Sequence, residues 1–180
     1  NPRGLRFGPD GKLYVAEGGT GGSNPAVGCG AVDPPVGPYL GSNTGARISS
    51  FDNNWNRTTI IDTLPSSQTG PALGGLVSGV ADVEFIGNTL YGLLSGAGCS
   101  HGVTSLPNGI VGINSNGPPT HNANLSAFQQ ANPVTNPSAG DFEPDGTWYS
   151  MVAVRGDFYA VEPNHGEVVR VTPAGEITRV

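Results

Sequence analysis

Asn1-Pro-Arg-Gly-Leu-Arg-Phe-Gly-Pro-Asp-Gly-Lys-Leu-Tyr-Val-Ala-Glu-Gly-Gly19 opens the chain, and the reading of this stretch decides the fold. Leu5 and Phe7 alternate with Gly4 and Arg6, the two-residue period of a half-buried strand, and Leu13 to Ala16 is a second run of strand formers. Between them, Gly8-Pro9-Asp10-Gly11 is a tight turn: proline presets one dihedral, Asp bonds back to the backbone, and Gly accepts a positive φ. The stretch therefore reads as strand, turn, strand.

The same order returns at Val80 to Leu94 around Gly87-Asn88, and at Trp148 to Glu162 around Arg155-Gly-Asp157. Tyr14, Tyr91 and Tyr159 mark corresponding points, 77 and 68 residues apart. A further strand-like run follows each hairpin, ending at Asp52, Asn114 and Thr172, and in the first and third copies another comes after it, Arg57 to Asp62 and Glu176 to Val180. Units of up to four antiparallel strands repeated along a chain are the pattern of β-propeller blades. A β-sandwich would also alternate, but here turn chemistry and strand type recur together. The expected fold is an all-β propeller fragment of three blades, residues 1–62, 63–125 and 126–180, out of a six-bladed ring. Three blades do not close such a ring. The expectation is a piece of a longer protein, or one that completes its ring by self-association.

Composition agrees. Of 180 residues, 29 are Gly and 16 Pro, which punctuate turns and penalise helix interiors. Only Asn124 to Ala131 could form a short helix. A formal net charge of −6, with Lys12 the sole lysine, argues against nucleic acid as a partner. No apolar run has the length of a membrane span.

Function is expected at one end of the blades. Within each hairpin the first turn is tight, whereas the second-to-third links, Gly18 to Thr44 and Ser95 to Asn108, are long and emerge on the same side as the blade connections. Cys29 and Cys99 lie in equivalent loops there, and a Cys29–Cys99 disulfide would suit an extracytoplasmic, oxidising compartment. Glu17 and Glu162 end equivalent strands and Ser95 holds that place in the second unit, while Asn164 and His165 follow Glu162 and His101 follows Cys99. Carboxylates suit calcium or another divalent cation, and adding imidazole suits a transition metal, so Glu17, Glu162 and His165 are the candidate metal set. Ser95, His101 and Asn164 are the candidate ligand-binding residues. Each of these, taken singly, is also what a solvated loop or a turn cap would contain. Other motifs are weak. Ser95-Gly-Ala-Gly-Cys-Ser-His101 is no nucleophile elbow, Gly18-Gly-Thr-Gly-Gly22 has no lysine after it, and Asn56-Arg-Thr58 and Asn124-Leu-Ser126 are glycosylation sequons by spelling alone.

Together with the opening stretch, Val36-Gly-Pro-Tyr39, Ala46-Arg-Ile48, Ser95 to His101, Asp145-Gly-Thr-Trp-Tyr-Ser150 and Val161-Glu-Pro-Asn-His-Gly166 resemble the ScyD/ScyE family. That resemblance implies a secreted or periplasmic NHL-type six-bladed propeller associated with biosynthesis of the pigment scytonemin. It implies no catalytic residues. The expected role is a binding or scaffold module for a small molecule or a protein. Related propellers include metal-dependent lactonases and lyases and quinone-dependent sugar dehydrogenases, which leaves an enzyme as the alternative. A self-assembling structural protein, pairing through open blade edges, is the third.

Overall fold

The computed structural model describes residues 1–114, 117–137 and 142–180. Among the described residues, thirteen strands form three antiparallel sheets in chain order, accompanied by one α-helix. The first sheet contains β1 (Pro2–Phe7), β2 (Leu13–Glu17), β3 (Leu40–Phe51), β4 (Arg57–Gln68) and β5 (Val77–Ser78). The second contains β6 (Val80–Ile86), β7 (Thr89–Leu94), β8 (Gly109–Gly112) and β9 (Thr120–Asn124). The third contains β10 (Ser150–Val154), β11 (Asp157–Glu162), β12 (Glu167–Val171) and β13 (Ile177–Arg179). Strands are neighbours in sequence order within every sheet, as in propeller blades.

The sheets stack through two apolar layers. Ala16, Ala46, Ile48 and Leu64 of the first sheet meet Val83, Leu94 and Val111 of the second. Tyr91, Leu93 and Ile110 of the second meet Met151, Phe158, Ala160 and Val169 of the third. The three innermost strands also touch through polar atoms. Met151 N donates to Asp82 Oδ2 at 3.0 Å, Ala153 N donates to Glu84 Oε2 at 3.2 Å, and Arg6 pairs with Glu84. The carboxylates on β6 thus tie the first and third sheets to the second. Burial pushes the Asp82 carboxyl above its usual range, against the two backbone N–H groups that it accepts.

The observed elements depart from the sequence expectation in three places. β4 continues past Asp62 to Gln68, and β5 joins the same sheet, so the first sheet reaches Ser78 rather than ending at residue 62. The second sheet has a fourth strand, β9, whose polar sequence Thr-His-Asn-Ala-Asn carries no strand signal and which forms by pairing with β8. The third sheet begins at Ser150, with Trp148 and Tyr149 before it. The expected helix is present as α1 (Leu125–Ala131), with Asn124 Oδ1 accepting from Ala127 N as its cap. No helix among the described residues is long and apolar enough to cross a membrane.

Candidate functional site

The long β3–β4 hairpin rises beyond the other strands and carries the loop of residues 18–39 against the second sheet. Gly41 makes this approach possible: a Cβ there would stand 2.0 Å from the His101 carbonyl oxygen. Asn24 and Gly41 exchange two backbone hydrogen bonds of 2.8 Å, and Cys29 and Cys99 form a disulfide with Cα atoms 6.0 Å apart. The bridge closes a loop of 70 residues and fastens the first sheet's loop to the second's, which limits the freedom of the unfolded chain. The glycine-rich run at 18–22 is therefore packed backbone, not a phosphate cradle.

A cavity of about 420 Å³ lies where loops of all three sheets meet. Ser95 and Asn164 both line it, so two of the three expected ligand-binding residues share one site. Ser95 is held there by donating its N–H to Gly79 O at 2.8 Å, and Asn164 Nδ2 donates to Thr147 Oγ1 at 3.2 Å. Arg3, Tyr39, Glu143, Trp148 and Tyr149 also line it. Trp148 is wholly buried, while Tyr149 is 60% exposed at the mouth.

Tyr39 and Glu143, missed in the sequence reading, form the polar centre of this wall. The Tyr39 hydroxyl donates to Glu143 Oε1 at 2.9 Å, and both side chains are almost wholly buried. His101 lies directly behind them: its ring stacks on Tyr39 at 4.2 Å between centroids, and its Nδ1 is 2.8 Å from Ser67 Oγ. His101 Nε2 stands 3.5 Å from Glu143 Oε2, without hydrogen-bond geometry. Burial alone would raise the Glu143 carboxyl, but His101, Thr147 and Tyr39 outweigh it and hold the group below the usual carboxylate range. Burial and the neighbouring carboxylate push the Tyr39 phenol up. At neutral pH the wall thus presents an ionised carboxylate beside a neutral phenol. His101 supports this arrangement, whereas the expectation was that it would meet ligand itself.

Neighbouring residues fix Glu143 in place. Asp145 Oδ2 accepts from Ser100 N at 2.8 Å and Ser100 Oγ at 2.5 Å, and Asn108 Nδ2 donates to the Gly146 carbonyl at 2.9 Å. Glu162 is fully buried beneath the wall, accepting from Thr147 N at 2.7 Å and His165 N at 2.6 Å. His165 Nδ1 is 2.9 Å from the same carboxylate but off its hydrogen-bonding direction, and its ring packs edge-on against Phe142 at a second, smaller cavity.

Glu17 does not join Glu162 and His165. Its carboxylate accepts from Ser49 Oγ at 2.6 Å, Arg47 Nε at 2.8 Å and Arg57 at 3.0 Å, all within the first sheet. Burial would raise the Glu17 carboxyl, and these partners instead hold it low. Among the described residues, the grouping compact enough for a metal is Cys29, Cys99 and Asp145, whose sulfurs are bonded to each other.

No family model matches the chain, and no curated protein matches it. Among solved structures, it is similar to selenomethionine-substituted virginiamycin B lyase from Staphylococcus aureus, with a TM-score of 0.37 and 12% identity over 99% of this chain and 69% of that one. At that distance the likeness assigns no residue a role.

Proposed function

We propose that the chain is the ligand-binding part of an extracytoplasmic six-bladed propeller and takes a small hydroxyl-bearing ligand in the cavity at its loop-rich end. The observation that carries this reading is the buried Tyr39–Glu143 pair in the wall of a 420 Å³ cavity that Ser95 and Asn164 also line. A cavity of this size with a few convergent polar groups and an aromatic rim suits a sugar-sized or phenolic molecule. An ionised carboxylate accepts hydroxyl protons, and Tyr149 offers an exposed ring for stacking. The disulfide supports an oxidising compartment. The ScyD/ScyE-like segments support a place among proteins of pigment biosynthesis, and two of them, ending at Tyr39 and beginning at Asp145, flank the cavity wall. The metal-dependent alternative draws no support from Glu17, whose carboxylate pairs with Arg47 and Arg57.

Saturation-transfer NMR with methyl glucoside and catechol as probes tests the reading. Transfer to at least one probe is expected, reduced several-fold in Glu143→Gln and Tyr149→Ala. Absence of transfer to both, or transfer indifferent to both substitutions, would overturn it.

A further inference from the structure

The smaller cavity, about 270 Å³, is walled by α1, by the segments on either side of Phe142 and by the turn after β11. Among the described residues, Pro133, Val134, Pro137, Phe142 and Pro144 give it an apolar lining, and Gln129, Gln130 and His165 are its polar members. It shares no lining residue with the larger cavity. All of these residues lie between positions 129 and 165, so one internal stretch of chain shapes it. Gln130 Nε2 donates to Pro144 O at 3.4 Å, Asn132 Nδ2 donates to Phe128 O at 2.9 Å, and Arg179 donates to Asn132 O. These bonds hold the wall to the third sheet.

Two polar side chains of the cavity are buried yet unsatisfied among the described residues. Gln129 is 4% exposed and His165 7%. Gln129 Nε2 reaches Glu167 Oε2 at 3.5 Å, but its Oε1 has no hydrogen-bond partner. Neither ring nitrogen of His165 has one. Its Nδ1 stands 2.9 Å from the Glu162 carboxylate, which favours the ring proton on that side and leaves Nε2 an acceptor. A buried polar atom without a partner loses its hydration for nothing, so folded proteins leave few of them. Here two such acceptors belong to residues that line one apolar hollow. Water suits the place poorly, because it needs polar partners on several sides.

We infer that this hollow is a second ligand site, taking an uncharged one-ring aromatic molecule that donates N–H groups, an arylamine, to Gln129 Oε1 and His165 Nε2. The volume fits one ring with a substituent, since an apolar cavity of about 150 Å³ already holds benzene. Phe142 stands edge-on to the His165 ring at 5.1 Å between centroids, and its half-exposed ring offers an aromatic contact at the mouth. The unsatisfied atoms decide the donor class: they are acceptors, and a phenol or sugar would bury oxygen lone pairs that nothing answers. A charged amine would lose its hydration where the nearest carboxylates are already engaged, Glu167 by Arg179 and Glu162 by backbone N–H groups. The inference is independent of what the larger cavity binds.

Amide chemical-shift mapping of the chain with p-toluidine, p-cresol and toluene, molecules of one shape and different donors, tests it. p-Toluidine, uncharged at neutral pH, is expected to shift the amides of Gln129, Val134, Phe142 and His165, with a dissociation constant about tenfold below that of either of the others. Val134→Trp, at a half-buried wall position, should fill the hollow and abolish these shifts. Gln129→Leu and His165→Phe, which keep the bulk and remove the acceptor, should each bring p-toluidine close to toluene. Glu143→Gln, in the larger cavity, should leave the p-toluidine shifts unchanged. No shifts at millimolar p-toluidine, shifts that survive Val134→Trp, or equal affinity for p-toluidine and toluene would each overturn the inference. The comparison of the three molecules on the parent chain decides even where a buried-site variant does not fold. p-Toluidine shifts lost in Glu143→Gln but kept in Val134→Trp would remove this site and leave the larger cavity standing. Failure of methyl glucoside and catechol with p-toluidine binding intact would do the converse.

Discussion

Glu17 and Glu162 end equivalent strands of the first and third sheets, yet they do different work. Glu17 ties together its own sheet, bonded to Ser49 and to two arginines whose side chains are 41% and 37% exposed. Glu162 pairs with no arginine or lysine among the described residues, and its oxygens accept from the backbone N–H groups of Thr147 and His165 beneath the cavity wall. Removing the first frees arginines that water can take up. Removing the second strands buried backbone donors. The repeat determines where a carboxylate stands, and the partners brought by loops determine what it does.

The largest break in this comparison is expected from Glu162→Ala. Leaving Thr147 N and His165 N without an acceptor should cost about 3 kcal/mol, read as a lower urea midpoint at unchanged slope. A cost under about 1 kcal/mol would show that water replaces the carboxylate there.

Glu17→Ala is expected to cost about 1 kcal/mol, because its arginine partners are more than a third exposed and rehydrate. If its urea midpoint falls as far as that of Glu162→Ala, the contrast between the two sites is void.

Acid titration sharpens the comparison from the other side. Glu17 and Glu143 both have depressed carboxyls, so their contribution is complete above the ordinary glutamate value near 4.5 and is lost as pH falls through their lower folded-state values. Asp82 has the opposite sign: its raised carboxyl favours folding at low pH and disfavours it increasingly as pH rises through the raised value. Urea midpoints measured downward from pH 5 should therefore fall less steeply in Glu17→Gln than in the parent. Equal slopes would mean that the Arg47 and Arg57 contacts do not perturb Glu17.

The smallest stability effect is expected for Asn164→Ala, which loses a 3.2 Å bond to Thr147 at the cavity edge. Its unfolding free energy, read from the urea midpoint, should fall by no more than about 1 kcal/mol, while probe transfer falls. A change in stability without a change in transfer would make Asn164 structural.

Much of this was legible in the sequence because it is local. Gly8-Pro-Asp-Gly11 and Gly87-Asn88 each set a turn, and three tyrosines marked the second strands. The equivalent loop positions of Cys29 and Cys99 anticipated the bridge. What stayed hidden depends on distant chain segments. Tyr39 and Glu143 are 104 residues apart, and each sits in an irregular connection whose path no periodicity describes. β9 is polar except for Ala123 and takes its conformation from β8. Arg57 was visible only as the start of a strand, and its reach to Glu17 depends on the register between β3 and β4.

The central claim, that the loop-rich cavity is where ligand is held, is tested most directly by amide chemical-shift mapping with methyl glucoside and catechol. The account predicts concentration-dependent shifts confined to Tyr39, Ser95, Glu143, Thr147, Tyr149 and Asn164. Shifts centred on Glu17 and Arg47, or none at millimolar probe, would contradict it.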